Sequence, residues 1–435
     1  MMKKAVIFTL TAFAAIVLAD GLFYEFHRND IAIFHAEKLM SAGDYAGARE
    51  IFEEIGEPER AEECESLKEA QIYTDAKILL QTGSYSEAKE LLKQIPELDG
   101  TENLLRYCDF LEAEELTGKG EYSAARKIFL DIADFPGSDR ALDALNILLY
   151  ERAQELAYNF DLQGACEIWR ELGDYKKSEV LLKRGERITK WLASGEEDSV
   201  MNELEYWSSG NYVSVYACDL GYLVIPKECN KDTGFVLYYP GGRNEDLYID
   251  YLLCYLQNPA KNAITLFLRR NGLNDMESKN DEALDLLEHV AAEKGLFVHD
   301  LVVCGSSLGA YPALHSAVYS YRDRGIYVPC VLSLDAGGDW VERTITLNDD
   351  ECAEAAALGT EFFLFESIGV GMNREAIVQM VNAGIKVTIV GCVYDDHTRI
   401  TMDALGMGAI EWALGDRTTP HRTDIYSYTR PEPTA

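Results

Sequence analysis

The run LVVCGSSLGA at residues 301–310 sends an apolar, strand-like segment straight into Gly305-Ser306-Ser307-Leu308-Gly309, and a helical pattern follows. Gly-x-Ser-x-Gly between a strand and a helix has a mechanical meaning. Ser307 sits on a tight, strained turn, and glycine at the flanking positions lets strand and helix pass close together. The hydroxyl then stands above the end of the strand at a helix N-terminus, whose amides favour negative charge. A serine so placed performs nucleophilic acyl chemistry if a base takes its proton.

The chain holds seven histidines from which to choose that base. His27 and His35 lie near the N-terminal apolar segment, His289 falls inside a helical pattern, and His299 precedes the Ser307 strand at its wrong end. His315 lies well down the helix after Ser307, and His421 is in the polar C-terminal tail. His397 follows the last strand and precedes the last helix, which puts it at the same carboxyl edge as Ser307. Two carboxylates compete to orient it. Glu366 closes the strand between those of Asp335 and His397; Asp335 closes the strand beside that of Ser307, in Leu334-Asp335-Ala336-Gly337-Gly338. Either would hold the imidazole tautomer and stabilise imidazolium. Asp395 and Asp396 are too close to His397 in sequence to reach back easily.

A tetrahedral oxyanion needs preorganised N–H donors. The amide of Leu308 is one candidate. The other comes from the turn Tyr239-Pro240-Gly241-Gly242-Arg243, where Gly241 and Gly242 let the backbone approach a substrate. Arg243, with Arg269-Arg270 after the next strand, offers a positive rim to a substrate carboxylate or phosphate, although such arginines commonly pair with neighbouring carboxylates. Trp340 is placed to stack on a sugar or aromatic ester. Tyr248, Tyr251 and Tyr255 share a helix face and read as core. No metal or cofactor is expected: Asp395-Asp396-His397 lacks a third, separated ligand, and neither a Cys-x-x-Cys pair nor a Gly-rich phosphate loop occurs.

The elements that must position these groups follow from the pattern after residue 212. Strands are expected over 212–217, 222–226, 235–239, 264–268, 300–304, 328–334, 361–365 and 386–393. Helices are expected over 246–257, 280–294, 308–321, 349–357, 374–382 and 402–414. Two antiparallel strands followed by strand-helix alternation make a mostly parallel sheet with helices on both faces. The region 212–416 resembles the α/β-hydrolase superfamily, in the order nucleophile, acid, histidine (Ser307, Glu366 or Asp335, His397) and in the upstream Gly-Gly turn. The resemblance implies an eight-stranded sheet and hydrolysis of an ester or related acyl bond through an acyl-enzyme. The acid is not in the superfamily's usual Gly-x-x-Asp phrase, which leaves its assignment open, and the short connections after the sixth strand imply an open site.

Upstream the period is helical. Gly43-Asp44-Tyr45 precedes Ala48 and Phe52; Gly83-Ser84-Tyr85 precedes Ala88 and Leu92; Gly120-Glu121-Tyr122 precedes Ala125 and Phe129; a weaker copy has Leu162, Ala165 and Trp169. The last anchors are spaced 40, 37 and 40 residues apart, the mark of stacked supersecondary units. Glycine ends one helix, the small alanine admits close approach, and the bulky residue four positions on shares its face. The expected fold of 27–193 is an α-solenoid of helical hairpins. Its rhythm resembles tetratricopeptide repeats, with a longer period; the resemblance implies an arm for a protein partner or surface. Residues 194–211 read as a linker and 417–435 as a polar tail.

With 40 Lys plus Arg against 74 Asp plus Glu, the net charge of −34 excludes nucleic acid as a partner. At 435 residues, 48% apolar and 11% aromatic, the chain has room for two or three packed domains. Lys3 and Lys4 before the apolar run 5–19 mark residues 1–26 as a signal peptide or a membrane anchor, and either exports the remainder to the exterior or the cell surface. Membrane contact is expected only through that segment. Of the ten cysteines, Cys304, Cys330 and Cys392 lie in apolar runs and read as small buried hydrophobes. The expectation is an exported serine hydrolase with a repeat arm. A scaffold with a silent hydrolase-like domain and an acyltransferase using the same residues are the alternatives.

Overall fold

The computed structural model describes residues 27–195, 199–210, 212–241, 245–257, 262–269, 276–336, 347–367, 374–392, 397–415, 417 and 426–428. The expected signal or anchor, 1–26, lies outside them; among the described residues no helix is long and apolar enough to cross a membrane. The chain divides into two compact units, Met1–Ile147 and Leu148–Ala435. The division falls inside a helix, upstream of the polar stretch 194–211.

The first unit is helical. α1 spans 27–41, followed by α2 (Tyr45–Ile55), α3 (Pro58–Gln81), α4 (Tyr85–Leu92), α5 (Thr101–Gly118), α6 (Tyr122–Asp131) and the start of α7 (Ser138–Tyr158). Each repeat glycine ends a helix as its pattern requires. Gly43, Gly83 and Gly120 adopt φ of 83°, 81° and 79°, and the amides of Asp44, Ser84 and Glu121 close back on the carbonyls of Leu39, Leu79 and Leu116, each at 2.9 Å. The anchors Ala48, Phe52, Ala88, Leu92, Ala125 and Phe129 are all buried. They belong to separate small cores, one from α1 to α3, one from α3 to α5 and one from α5 to α7. Each of these cores is built by helices that follow one another in the chain.

The second unit continues with α8 (Leu162–Leu172) and α9 (Ser178–Ser194), then β1 (Glu205–Ser209), β2 (Val213–Cys218), β3 (Gly221–Pro226), β4 (Gly234–Tyr239), α10 (Glu245–Gln257), β5 (Ala263–Leu268), α11 (Met276–Glu293) and β6 (Asp300–Ser306). After these come α12 (Ala310–Arg324), β7 (Tyr327–Leu334), α13 (Asp349–Leu358), β8 (Glu361–Ser367), α14 (Arg374–Asn382), β9 (Lys386–Cys392), α15 (His397–Gly406), α16 (Ala409–Leu414) and β10 (Tyr426–Tyr428). The strands form one sheet in the order β1-β2-β3-β5-β4-β6-β7-β8-β9-β10. β4 to β9 are parallel, β3 is antiparallel to both neighbours, and β1 and β10 are antiparallel edges. One face carries a core with α11, α12, α13 and α14, the other a core with α10, α15 and α16. From β2 to β9, with the β4/β5 exchange and β3 reversed, this is the mostly parallel sheet with helices on both faces that the sequence pattern implies.

The expected eight strands are present, and the sheet has ten. β1 was hidden in the polar stretch because all five of its residues are exposed, so no apolar alternation marks it. β10 lies within the polar tail, where its pairing with β9 is what makes it a strand. The single helix expected over 402–414 is two, α15 and α16, parted at Gly408 with φ 84°. α9 is tied to the sheet unit by buried charge. Arg184, 2% exposed, donates to Glu288 on α11 and to the carbonyl of Val298. Arg187 reaches the same Glu288 at 2.5 Å, and Arg324 of α12 meets Asp285 at 2.5 Å and Asp281 at 2.8 Å. A buried arginine needs such partners to offset its desolvation.

Candidate active site

β6 runs in register between β4 and β7, with Gly305 opposite Tyr239 and Ser306 opposite Leu334. It ends in one 3₁₀ turn, Ser307–Gly309, from which α12 departs. Ser307 holds φ 51°, left-handed backbone that a residue with a Cβ rarely adopts. The flanking glycines are sterically obligatory. A Cβ on Gly305 would lie 2.1 Å from the carbonyl oxygen of Gly309, and one on Gly309 would lie 2.2 Å from that of Tyr239. Strand, turn and helix therefore cross at backbone contact, and Ser307 is lifted above the sheet end.

The two adjacent serines have opposite surroundings. Ser306 is fully buried, and its Oγ accepts from Tyr238 Oη at 2.7 Å and from the amide of Gly241 at 3.1 Å. Ser307 and Leu308 are half-buried and open to one side. The nucleophile candidate is thus Ser307. Gly241 lies against the elbow, since a Cβ on it would lie 2.3 Å from both Ser306 O and Ser307 Cβ. The Gly241 amide, however, is engaged by Ser306 Oγ in this structure. On the other face of β4, Tyr239 Oη donates to Asn280 Oδ1 at 2.5 Å, and Ser316 Oγ donates to the same oxygen at 3.2 Å. Burial pushes the Tyr239 phenol well above its ordinary pKa, so it stays a donor.

Both candidate acids lie at the carboxyl edge. Asp335 follows Leu334, which pairs with Ser306 on one side and Phe365 on the other. It is fully buried, holds φ 49°, and its amide donates to Phe365 O at 2.6 Å. Glu366, half-buried, sits on β8 opposite Gly391 of β9. His397 opens α15 just beyond β9, so its backbone stands at the same edge; its side chain, like Gly242, Arg243, Arg270, Trp340, Asp395, Asp396 and His421, lies outside the described residues. Arg269 is exposed at the end of β5, and Tyr251 and Tyr255 are buried against the sheet.

Other histidines have local company: His289 stacks on Trp191 at 4.5 Å, His299 lies 3.2 Å from Asp300 at the amino end of β6, and His315 is 3.3 Å from Glu351. Among the described residues no group of three or more His, Cys, Asp or Glu is arranged to hold a metal. Cys304 and Cys330 are buried, and burial pushes both thiols up, Cys330 to about 12. Ser306, Tyr238, Tyr239 and Asn280 were missed as site residues. Tyr238 and Tyr239 read as strand core, and only the pairing of β4 with β6 brings Tyr238 to Ser306.

No family model matches the chain, and no curated protein does. Solved structures with a similar course include an esterase from the fungus Rhizomucor miehei (14% identity, 52% of this chain and 88% of that one, TM-score 0.32). Others are an alpha-beta hydrolase from Vibrio vulnificus (16%, 52% and 85%, TM-score 0.31) and carboxyl esterase 2 from Tuber melanosporum (12%, 48% and 90%, TM-score 0.32).

Proposed function

We propose that the second unit is a serine hydrolase acting on an ester or related acyl bond. The observation that carries this reading is Ser307, held at φ 51° on a turn whose flanking glycines admit no Cβ. Strain kept at a non-glycine residue is retained where its side chain has work to do. Ser307 Oγ attacks the acyl carbon as His397 takes its proton; the amide of Leu308 and, from the Gly241-Gly242 turn, the amide that Ser306 does not hold stabilise the oxyanion. His397 returns the proton to the leaving group, and water then releases the acyl group by the reverse sequence. Glu366, on the strand beside β9, is the acid assigned first. Asp335 is the alternative, favoured by its burial and its own left-handed backbone. The repeats serve as an exported, tetratricopeptide-like arm for a protein partner.

The test is labelling of the fragment from Asn29 onward with a fluorophosphonate probe. The parent labels, and Ser307→Ala and His397→Ala do not. An unlabelled, folded parent sinks the reading and turns attention to pull-down with the repeat arm. Glu366→Gln and Asp335→Asn then separate the two acids.

A further inference from the structure

We infer that Ser306 is a positioning residue, a hydroxyl clamp that fastens the Gly-Gly turn to the nucleophile elbow before substrate arrives. The inference rests on the serine-hydrolase reading and deepens it. A serine hydroxyl has two acceptor lone pairs. Ser306 Oγ uses both, one on the Tyr238 phenol at 2.7 Å and one on the Gly241 amide at 3.1 Å. Ser306 and Tyr238 are fully buried, so the hydroxyl end of the clamp is held away from water, while Gly241 is half-buried.

The clamp joins parts distant in sequence. Tyr238 and Gly241 flank the exit of β4, and Ser306 ends β6 immediately before the nucleophile. Tyr239, pointing to the opposite face, is anchored independently on Asn280 of α11, which Ser316 of α12 also holds. The turn is therefore pinned from both sides of the sheet. The contact of Gly241 with Ser307 is so close that a Cβ would meet Ser307 Cβ at 2.3 Å, and any drift of the turn moves the oxyanion donors relative to Ser307 Oγ. Preorganisation of this kind acts on the transition state more than on ground-state binding.

The experiment measures the rate of fluorophosphonate labelling against probe concentration, separating probe affinity from the maximal rate of inactivation, with thermal unfolding recorded in parallel. In labelling, the Ser307 Oγ–P bond forms and fluoride leaves through a charged transition state that uses the same donors. Ser306→Ala is expected to lower the maximal rate roughly 10- to 100-fold with little change in probe affinity. Tyr238→Phe, which spares the Gly241 bond, lowers it less, and Ser306→Thr, which restores the acceptor, recovers it. A folded Ser306→Ala protein that labels at the parental rate overturns the clamp and leaves the hydrolase reading standing. A folded parent that never labels overturns both. Should Ser306→Ala not fold, Ser306→Cys carries the comparison, because its thiol keeps the shape and is a poor acceptor; a parental rate there overturns the clamp.

Discussion

Left-handed backbone is held by different residues in two regions of the chain. In the helical unit the turns at Gly43, Gly83 and Gly120 hold φ near 80° with glycine, and a Cβ there would meet nothing within 4 Å. At the carboxyl edge of the sheet the same region of conformational space is held by Ser307 and Asp335, at 51° and 49°. Where only a change of direction is needed, glycine supplies it with the least strain. Where a side chain must be presented, the strain is kept and the surrounding packing sustains it. The turn between α7 and α8 is intermediate, since Phe160, at φ 62°, stands two residues before its helix, where the turns before α2, α4 and α6 have glycine.

The contrast is broken most sharply by Ser307→Gly. This substitution is expected to abolish fluorophosphonate labelling while raising the stability of the second unit by about 1 kcal/mol, read by urea unfolding. Gly309→Ala acts in the opposite sense: its Cβ would sit 2.2 Å from Tyr239 O, and a loss of about 3 kcal/mol or more is expected in the same assay. All five tryptophans follow residue 147, so tryptophan fluorescence reports the second unit alone. Gly83→Ala, with open space around it, should cost only the backbone term of about 1 to 2 kcal/mol, measured by circular dichroism of the helices. For the intermediate case, Phe160→Gly is expected to be about 1 kcal/mol more stable than Phe160→Ala, a pair that isolates backbone from ring burial.

The smallest effect concerns pH. Burial pushes the Cys108 thiol in the helical unit up to about 11 and that of Cys330 in the sheet to about 12. A raised thiol favours the folded state fully below its ordinary value near 9, and that contribution is lost as pH climbs through the folded value. Both units should begin to weaken above pH 9, the Cys108 contribution being used up near pH 11 and that of Cys330 continuing to about pH 12; Cys108→Ala should flatten the slope of the helical unit in alkaline unfolding titrations.

The strands from β2 to β9 were readable because each is a short apolar run bounded by turn residues, and the burial of Ala48, Phe52 and their counterparts because small and bulky apolar residues four apart share a helix face. The elbow was readable because the physical demand for glycine at 305 and 309 is local. β1 was not, being exposed throughout, nor was the break between α15 and α16. Arg184 gave no sign of its burial: on an amphipathic helix an arginine reads as solvated, and the Glu288 that holds it lies 104 residues away. Ser306 was visible only as the variable position of a motif.

Residue type and spacing thus determined β2 to β9, the glycine turns at 43, 83 and 120 and the candidate nucleophile, because each depends on sterics within a few residues. The order β3-β5-β4-β6, the docking of α9 through Arg184, and the capture of the Gly241 amide by Ser306 were decided only by tertiary structure. Strand order is set by which backbone edges and apolar faces meet after chain crossovers. Those non-local contacts leave no period in the sequence that makes them.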